Sequence, residues 1–193
     1  MDLSRFPILD ELNTLRANPQ TMKEVAVPVD TNVVAEGIKG DCKELHVIMD
    51  PRQSTACGVK VRRSPGGEEE TVIAYDPARK VLRIEMDKSS LNQKAKPRTY
   101  AMTFILPKGT ENPEVSAQEA PLELKPGELL DLRIYLDHSI MEVFANGRQC
   151  LTQRIGPTRP DSVGASFFSR GGSANVKSLE AWDMSAISLV PLN

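Results

Sequence analysis

The sequence predicts an all-β chain folded as a two-sheet antiparallel β-sandwich, and three observations point there. From Val25 onward apolar and polar residues alternate in short runs, turn residues punctuate those runs, and only one short stretch carries helical periodicity. The 193 residues, 40% of them hydrophobic, are enough to bury a sizeable core within one domain. The expected division is a linker with a short helix over residues 1–23, a sandwich over 24–187 and a tail over 188–193.

Taken in order, Pro7 to Ala17 reads as the helix, because Ile8, Leu9, Leu12 and Leu15 recur at helical spacing before Asn18-Pro19 ends the pattern. Strands are expected at Glu24–Val29, Glu44–Met49, Ala56–Arg62, Glu70–Tyr75, Val81–Met86, Tyr100–Leu106, Leu130–Leu136, Met141–Ala145, Gln149–Ile155, Ser162–Phe168 and Asn175–Asp183. Ser64-Pro65-Gly66-Gly67, Asp76-Pro77, Asn146-Gly147 and Arg170-Gly171-Gly172 supply turn chemistry between them, with Asn146-Gly147 the strongest hairpin signal. Polar stretches from Asp87 to Arg98 and from Lys108 to Gly127 read as long surface loops, and Glu68-Glu69-Glu70 as a solvated turn.

Composition narrows the function classes. With 24 basic against 26 acidic residues and a net charge of −2, the chain has no basic stripe for a phosphate backbone, so nucleic acid is not an expected partner. No apolar run reaches the ~20 residues a bilayer requires, and Met1 to Arg16 lack the apolar stretch of a signal peptide. A soluble chain with no membrane partner is expected, and the compartment stays unknown. Cys42, Cys57 and Cys150 are too far apart for a zinc-type spacing and read as free thiols, although one disulfide stays open.

His46 alternates against Leu45, Val47 and Met49, which points it away from the apolar face, while His138 sits at a sharp connection between strands. Neither has a second ligand at metal-like spacing, so neither metal nor cofactor is expected. There is no Gly-x-Ser-x-Gly elbow and no phosphate loop. Carboxylate pairs stay open, because sequence does not tell which of them meet in space. Trp182 is expected in the core, whereas Tyr75, Tyr100 and Tyr135 fall at strand ends or on polar faces and are the candidate platforms for a sugar ring.

The run from Leu132 to Gly147 contains Asp137-His138-Ser139-Ile140-Met141-Glu142-Val143-Phe144 ahead of the Asn146-Gly147 turn. It resembles the signature strand pair of the C-terminal domain in glycoside hydrolase family 32, which includes invertases, inulinases and levanases and has the pattern Asp-x-Ser-x-x-Glu-x-Phe. Gly164 to Ser169 and Gly171 to Met184 continue the likeness. Gly40-Asp41, the run from Gly58 to Pro65 and the run from Thr71 to Asp76 extend it upstream, so it covers about Val25 to Ile187.

The resemblance implies a concanavalin A-like jelly roll that accompanies an N-terminal five-bladed propeller. In that family a retaining mechanism with an Asp nucleophile and a Glu acid/base belongs to the propeller, in Trp-Met-Asn-Asp-Pro-Asn-Gly, Arg-Asp-Pro and Glu-Cys motifs. None of the three is present here: Asp50-Pro51-Arg52 reorders the letters, Asp76-Pro77 follows Tyr75, and Cys42 and Cys150 follow Asp41 and Gln149. No catalytic residue is therefore carried over.

Asp137, Ser139, Glu142 and Phe144 are expected to serve architecture, the first two by hydrogen-bonding exposed backbone, Phe144 by filling core and Glu142 by finding a charged or backbone partner. Three readings follow: an accessory module that supports a propeller or dimer contacts through an exposed apolar patch, a lectin-like module for fructan or another glycan, and an autonomous hydrolase built on a carboxylate pair. The first is the expectation.

Overall fold

Period-two alternation in the sequence becomes the inward and outward faces of two stacked sheets. The computed structural model describes residues 9–92 and 116–187. A helix, α1 (Leu9–Asn13), leads into strands β1 (Arg16–Val27), β2 (Asn32–Lys39), β3 (Cys42–Asp50), β4 (Ala56–Arg63), β5 (Thr71–Asp76), β6 (Val81–Glu85), β7 (Ala117–Pro121), β8 (Leu130–Asp137), β9 (Ile140–Ala145), β10 (Gln149–Arg154), β11 (Gly164–Arg170) and β12 (Ala174–Met184). One sheet runs β1-β12-β3-β8-β9-β10 and the other β2-β11-β4-β5-β6-β7, each of six strands. Every described pairing is antiparallel.

The core lies between the sheets. On β8, Leu130, Leu132, Ile134 and Leu136 face inward while Asp131, Arg133 and Tyr135 face out, and β3 repeats this with Leu45, Val47 and Met49 inside. Val59, Val61, Ile73, Leu82, Ile84 and Phe167 close the core from the second sheet. Burial of these apolar side chains, at about 1.5–3 kcal/mol each, is the main favourable term. The second sheet is also covered on part of its far side, where Val72, Ala74 and Phe168 form a small buried cluster.

The turn chemistry behaves as read. Asn146 and Gly147 both take positive φ, 48° and 61°, and join β9 to β10. The Asn146 side chain also accepts from the Asp131 N–H at 3.1 Å and donates to the Leu129 carbonyl at 2.8 Å, which pins this hairpin to the start of β8.

Four expectations change. The helix is one turn shorter at its end: Arg16 and Ala17 already belong to β1, within the stretch expected to be linker. Asn18-Pro19 is a bulge in that strand, where the register with β12 shifts between Ala17 and Gln20. Pro19 is tolerated because β1 is at the sheet edge and a missing N–H costs no ladder bond there. β2 and β7 were not expected. Gly37 breaks the alternation of β2, and β7 has no β-branched residue and ends in Pro121. The strand expected at Tyr100–Leu106 lies outside the described residues.

Candidate functional site

Antiparallel register sets the outer face of the first sheet. Opposite residues on neighbouring strands form one row from Trp182 through Glu44, Tyr135 and Glu142 to Thr152, and a second from Glu180 through His46, Arg133 and Phe144 to Cys150. Three of the seven motif and tyrosine positions expected to matter, Tyr135, Glu142 and Phe144, thus meet on one face. Phe144 is not core: it is half-buried, and its ring meets Tyr135 edge-on with centroids 6.1 Å apart. The reason is parity, since Met141, Val143 and Ala145 take the inward positions of β9. Glu142 accepts from the Thr152 hydroxyl at 3.3 Å.

Glu44 is the centre of this face and has no exposed surface. Arg16 reaches it with two bonds, Nε to Oε2 at 2.7 Å and Nη2 to Oε1 at 2.6 Å, Arg133 donates to the same Oε1, and the Tyr135 hydroxyl donates at 3.2 Å. Burial alone would raise the Glu44 carboxyl, yet the bonds from Arg16 and Arg133 outweigh it and hold the group below the usual carboxylate range. Burial, together with the Glu44 charge, pushes Tyr135 up to about 12. Trp182 is not core either: it is half-buried on this face, with the Arg16 guanidinium 4.1 Å from its ring centroid. His46 faces outward as expected and bonds Asp131 at 2.9 Å.

The remaining expected residues lie elsewhere. Tyr75 is 3% exposed and belongs to the core, so it is no platform; β5 is buried on both faces and its alternation gives no outward side. Tyr75 contributes to the lining of a cleft of about 370 Å³ together with Asp50, Arg52, Lys80 and Glu123. Tyr100 lies outside the described residues. Asp137 and Ser139 flank the turn from β8 to β9, where His138 takes a φ of 51°. Asp137 meets side chains: its Oδ1 lies 2.8 Å from His138 Nδ1 and 3.8 Å from Cys42 Sγ. Ser139 contributes its carbonyl, which accepts from the Ile155 N–H at 2.8 Å.

Two features escaped the sequence reading. Cys42 Sγ sits 3.3 Å from His138 Nδ1 although 96 residues separate them, because β3 and β8 pair Cys42 with Asp137. The Glu68-Glu69-Glu70 run is not a solvated turn: Glu69 is wholly buried, and Glu70, 7% exposed, is bonded by Lys60 at 2.7 Å with Arg63 at 3.3 Å. No local pattern signals either feature: Cys42 and His138 are 96 positions apart, and the groups that hold Glu69 lie 22 to 93 positions from it.

A glycosidase acid needs a carboxyl whose pKa is raised. Among the described residues every carboxylate with a resolved shift moves down: Glu24, Glu44, Glu68, Glu69, Glu119, Glu128, Asp161 and Asp183. The arrangement suits rigidity and charge pairing.

Comparison with known proteins gives a coherent result. The family described as glycosyl hydrolases family 32 C terminal matches residues 11–183. A levanase of Bacillus subtilis (strain 168) is 30% identical over 174 residues, covering 88% of this chain and 23% of the levanase. Beta-fructofuranosidase 1 of Zea mays is 41% identical over 70 residues, or 34% of this chain and 10% of that protein. Fructan 1-exohydrolase IIa from Cichorium intybus shares the fold, with a TM-score of 0.76 at 15% identity over 97% of this chain and 39% of that one. The chain therefore spans well under half the length of these relatives.

Proposed function

The chain belongs to the family of glycosyl hydrolase family 32 C-terminal domains, and we propose that it is the non-catalytic β-sandwich module of a β-fructofuranosidase-type enzyme. Its partner is an N-terminal five-bladed propeller that hydrolyses terminal β-fructofuranosides of sucrose, inulin or levan, and the module supports that propeller or contacts between enzyme copies. The observation that carries this reading is the match to a C-terminal domain by a chain whose 193 residues contain none of the three propeller motifs.

The downward carboxylate shifts support it, since a general acid must hold its proton near neutral pH. Some support comes from Val34, 46% exposed in a groove of about 300 Å³ along β2 whose lining mixes apolar Pro65 and Val163 with charged Glu36, Lys39, Arg63 and Asp161. A fructan-binding role has thinner support, because Tyr75 is buried and Trp182 is covered by Arg16.

The test is titration calorimetry of the purified chain with sucrose, inulin and levan oligosaccharides, with released fructose assayed in the same samples. No fructose and no saturable heat are expected. Fructose released in proportion to protein would overturn the non-catalytic assignment. Saturable heat without fructose would replace structural support with glycan binding.

A further inference from the structure

We infer that Cys42, Asp137 and His138 form a binding site for a divalent transition-metal ion, with zinc as its best fit. Sγ of Cys42 lies 3.3 Å from His138 Nδ1 and 3.8 Å from Asp137 Oδ1, and Nδ1 and Oδ1 are 2.8 Å apart. Bond lengths of about 2.3 Å to sulfur and about 2.0–2.1 Å to nitrogen or oxygen place tetrahedral ligands roughly 3.3–3.6 Å from one another. Shifts of about half an ångström bring all three atoms onto one face of such a tetrahedron, and side-chain rotation supplies that much.

The backbone holds these groups together independently of any ion. Cys42 and Asp137 are register partners at the ends of β3 and β8, and the His138 N–H donates to the Asp41 carbonyl at 2.8 Å, which clips the turn onto the start of β3. The side chains of Asp137 and His138 are 81% and 72% exposed, so an ion has an open approach and water completes its shell. The donor set selects the metal: a thiolate and an imidazole disfavour magnesium and calcium, while one sulfur, one nitrogen and one oxygen suit zinc. Cys57 is fully buried and takes no part.

A bound ion would tie the β8–β9 turn, which carries the family motif, to the neighbouring strand. Asp137 belongs to the Asp-x-Ser-x-x-Glu-x-Phe pattern and His138 fills its first variable position, whereas Cys42 lies outside it, so the site combines one motif residue with two donors that the pattern does not specify.

The experiment uses the whole chain, stripped with chelator under reducing conditions and titrated with zinc against a fluorescent zinc chelator. One zinc per chain at about micromolar Kd or tighter is expected, with a rise in Tm that magnesium does not reproduce. His138→Asn keeps a residue that tolerates positive φ and should weaken binding by at least about 100-fold, beyond the ~10–100-fold that losing an outer-shell partner costs. Cobalt in place of zinc should give a thiolate-to-metal charge-transfer band that C42S abolishes and C150S retains. No stoichiometric zinc, equal affinity in H138N, or a cobalt band that survives C42S would each overturn the site. H138N has no buried group to lose, so its result stands even where C42S folds poorly.

Discussion

Glu69 is wholly buried yet ionised, and the reason is a complete set of donors. Its carboxylate accepts from the N–H groups of Leu91 at 2.8 Å, Thr158 at 2.8 Å and Arg159 at 3.0 Å, and from the hydroxyls of Thr158 and Ser162 at 2.7 Å each. Burial pushes this carboxyl up, but the bonds from Thr158, Ser162 and Arg159 dominate and hold it at about 2, against an ordinary 4.5. A depressed folded-state pKa means that the stabilisation is full above pH 4.5 and is lost as pH falls from there toward 2. Glu69→Gln turns one acceptor into a donor facing donors, and we expect unfolding in urea at pH 7 to lose about 2–4 kcal/mol. The gap between parent and variant should narrow as pH falls through that window. A gap that stays constant down to pH 2 would show that the Glu69 charge is not what stabilises this junction. The residue was legible only as one of three consecutive glutamates, because its partners lie 22 to 93 positions away.

At the scale of strands, legibility followed the pleat. β3, β8 and β12 each have a dry and a wet side, and alternation located them within a few residues. Alternation was silent on β7 and on the first half of β1, whose places depend on a neighbour's free edge. It also misassigned Tyr75, because β5 is buried on both faces and period two carries no information about which side is wet. Gly58 marks where β4 approaches β5 too closely for a side chain: a Cβ there would lie 2.0 Å from the Ile73 carbonyl oxygen. Gly58→Ala must push β5 away from β4 in the middle of the second sheet, where Gly58 is paired with both Ala74 and Phe168. A loss of about 1–3 kcal/mol or more is expected, with hydrogen-exchange protection falling first at β4, β5 and β11. A variant as stable as the parent, with unchanged protection there, would contradict the close approach.

At the scale of the whole molecule, the first sheet is closed by the two ends of the described chain, since β1 pairs along β12 from Arg16 opposite Met184 to Val27 opposite Ala174. The sequence suggests cutting at residue 24, because the helical pattern and Asn18-Pro19 look like a linker. Pairing and charge argue for Arg16 instead. A chain starting at Glu24 would strip most of the partner from β12, leaving an unpaired edge beside Leu179 and Ala181, and would remove one of the two guanidiniums that neutralise buried Glu44. A chain starting at Arg16 keeps both features and loses α1. We expect the longer chain to melt within a few degrees of the full protein, and the shorter one to lose more than the 3–5 kcal/mol that orphaning a buried ion-pair partner costs and to scatter light on heating. Arg16→Ala in the full chain separates the two causes: if it accounts for the whole loss, the clamp on Glu44 is what β1 contributes, and if it accounts for little, strand pairing is. Equal melting of all these chains would mean that β12 tolerates a free edge and that residue 24 is the physical boundary after all.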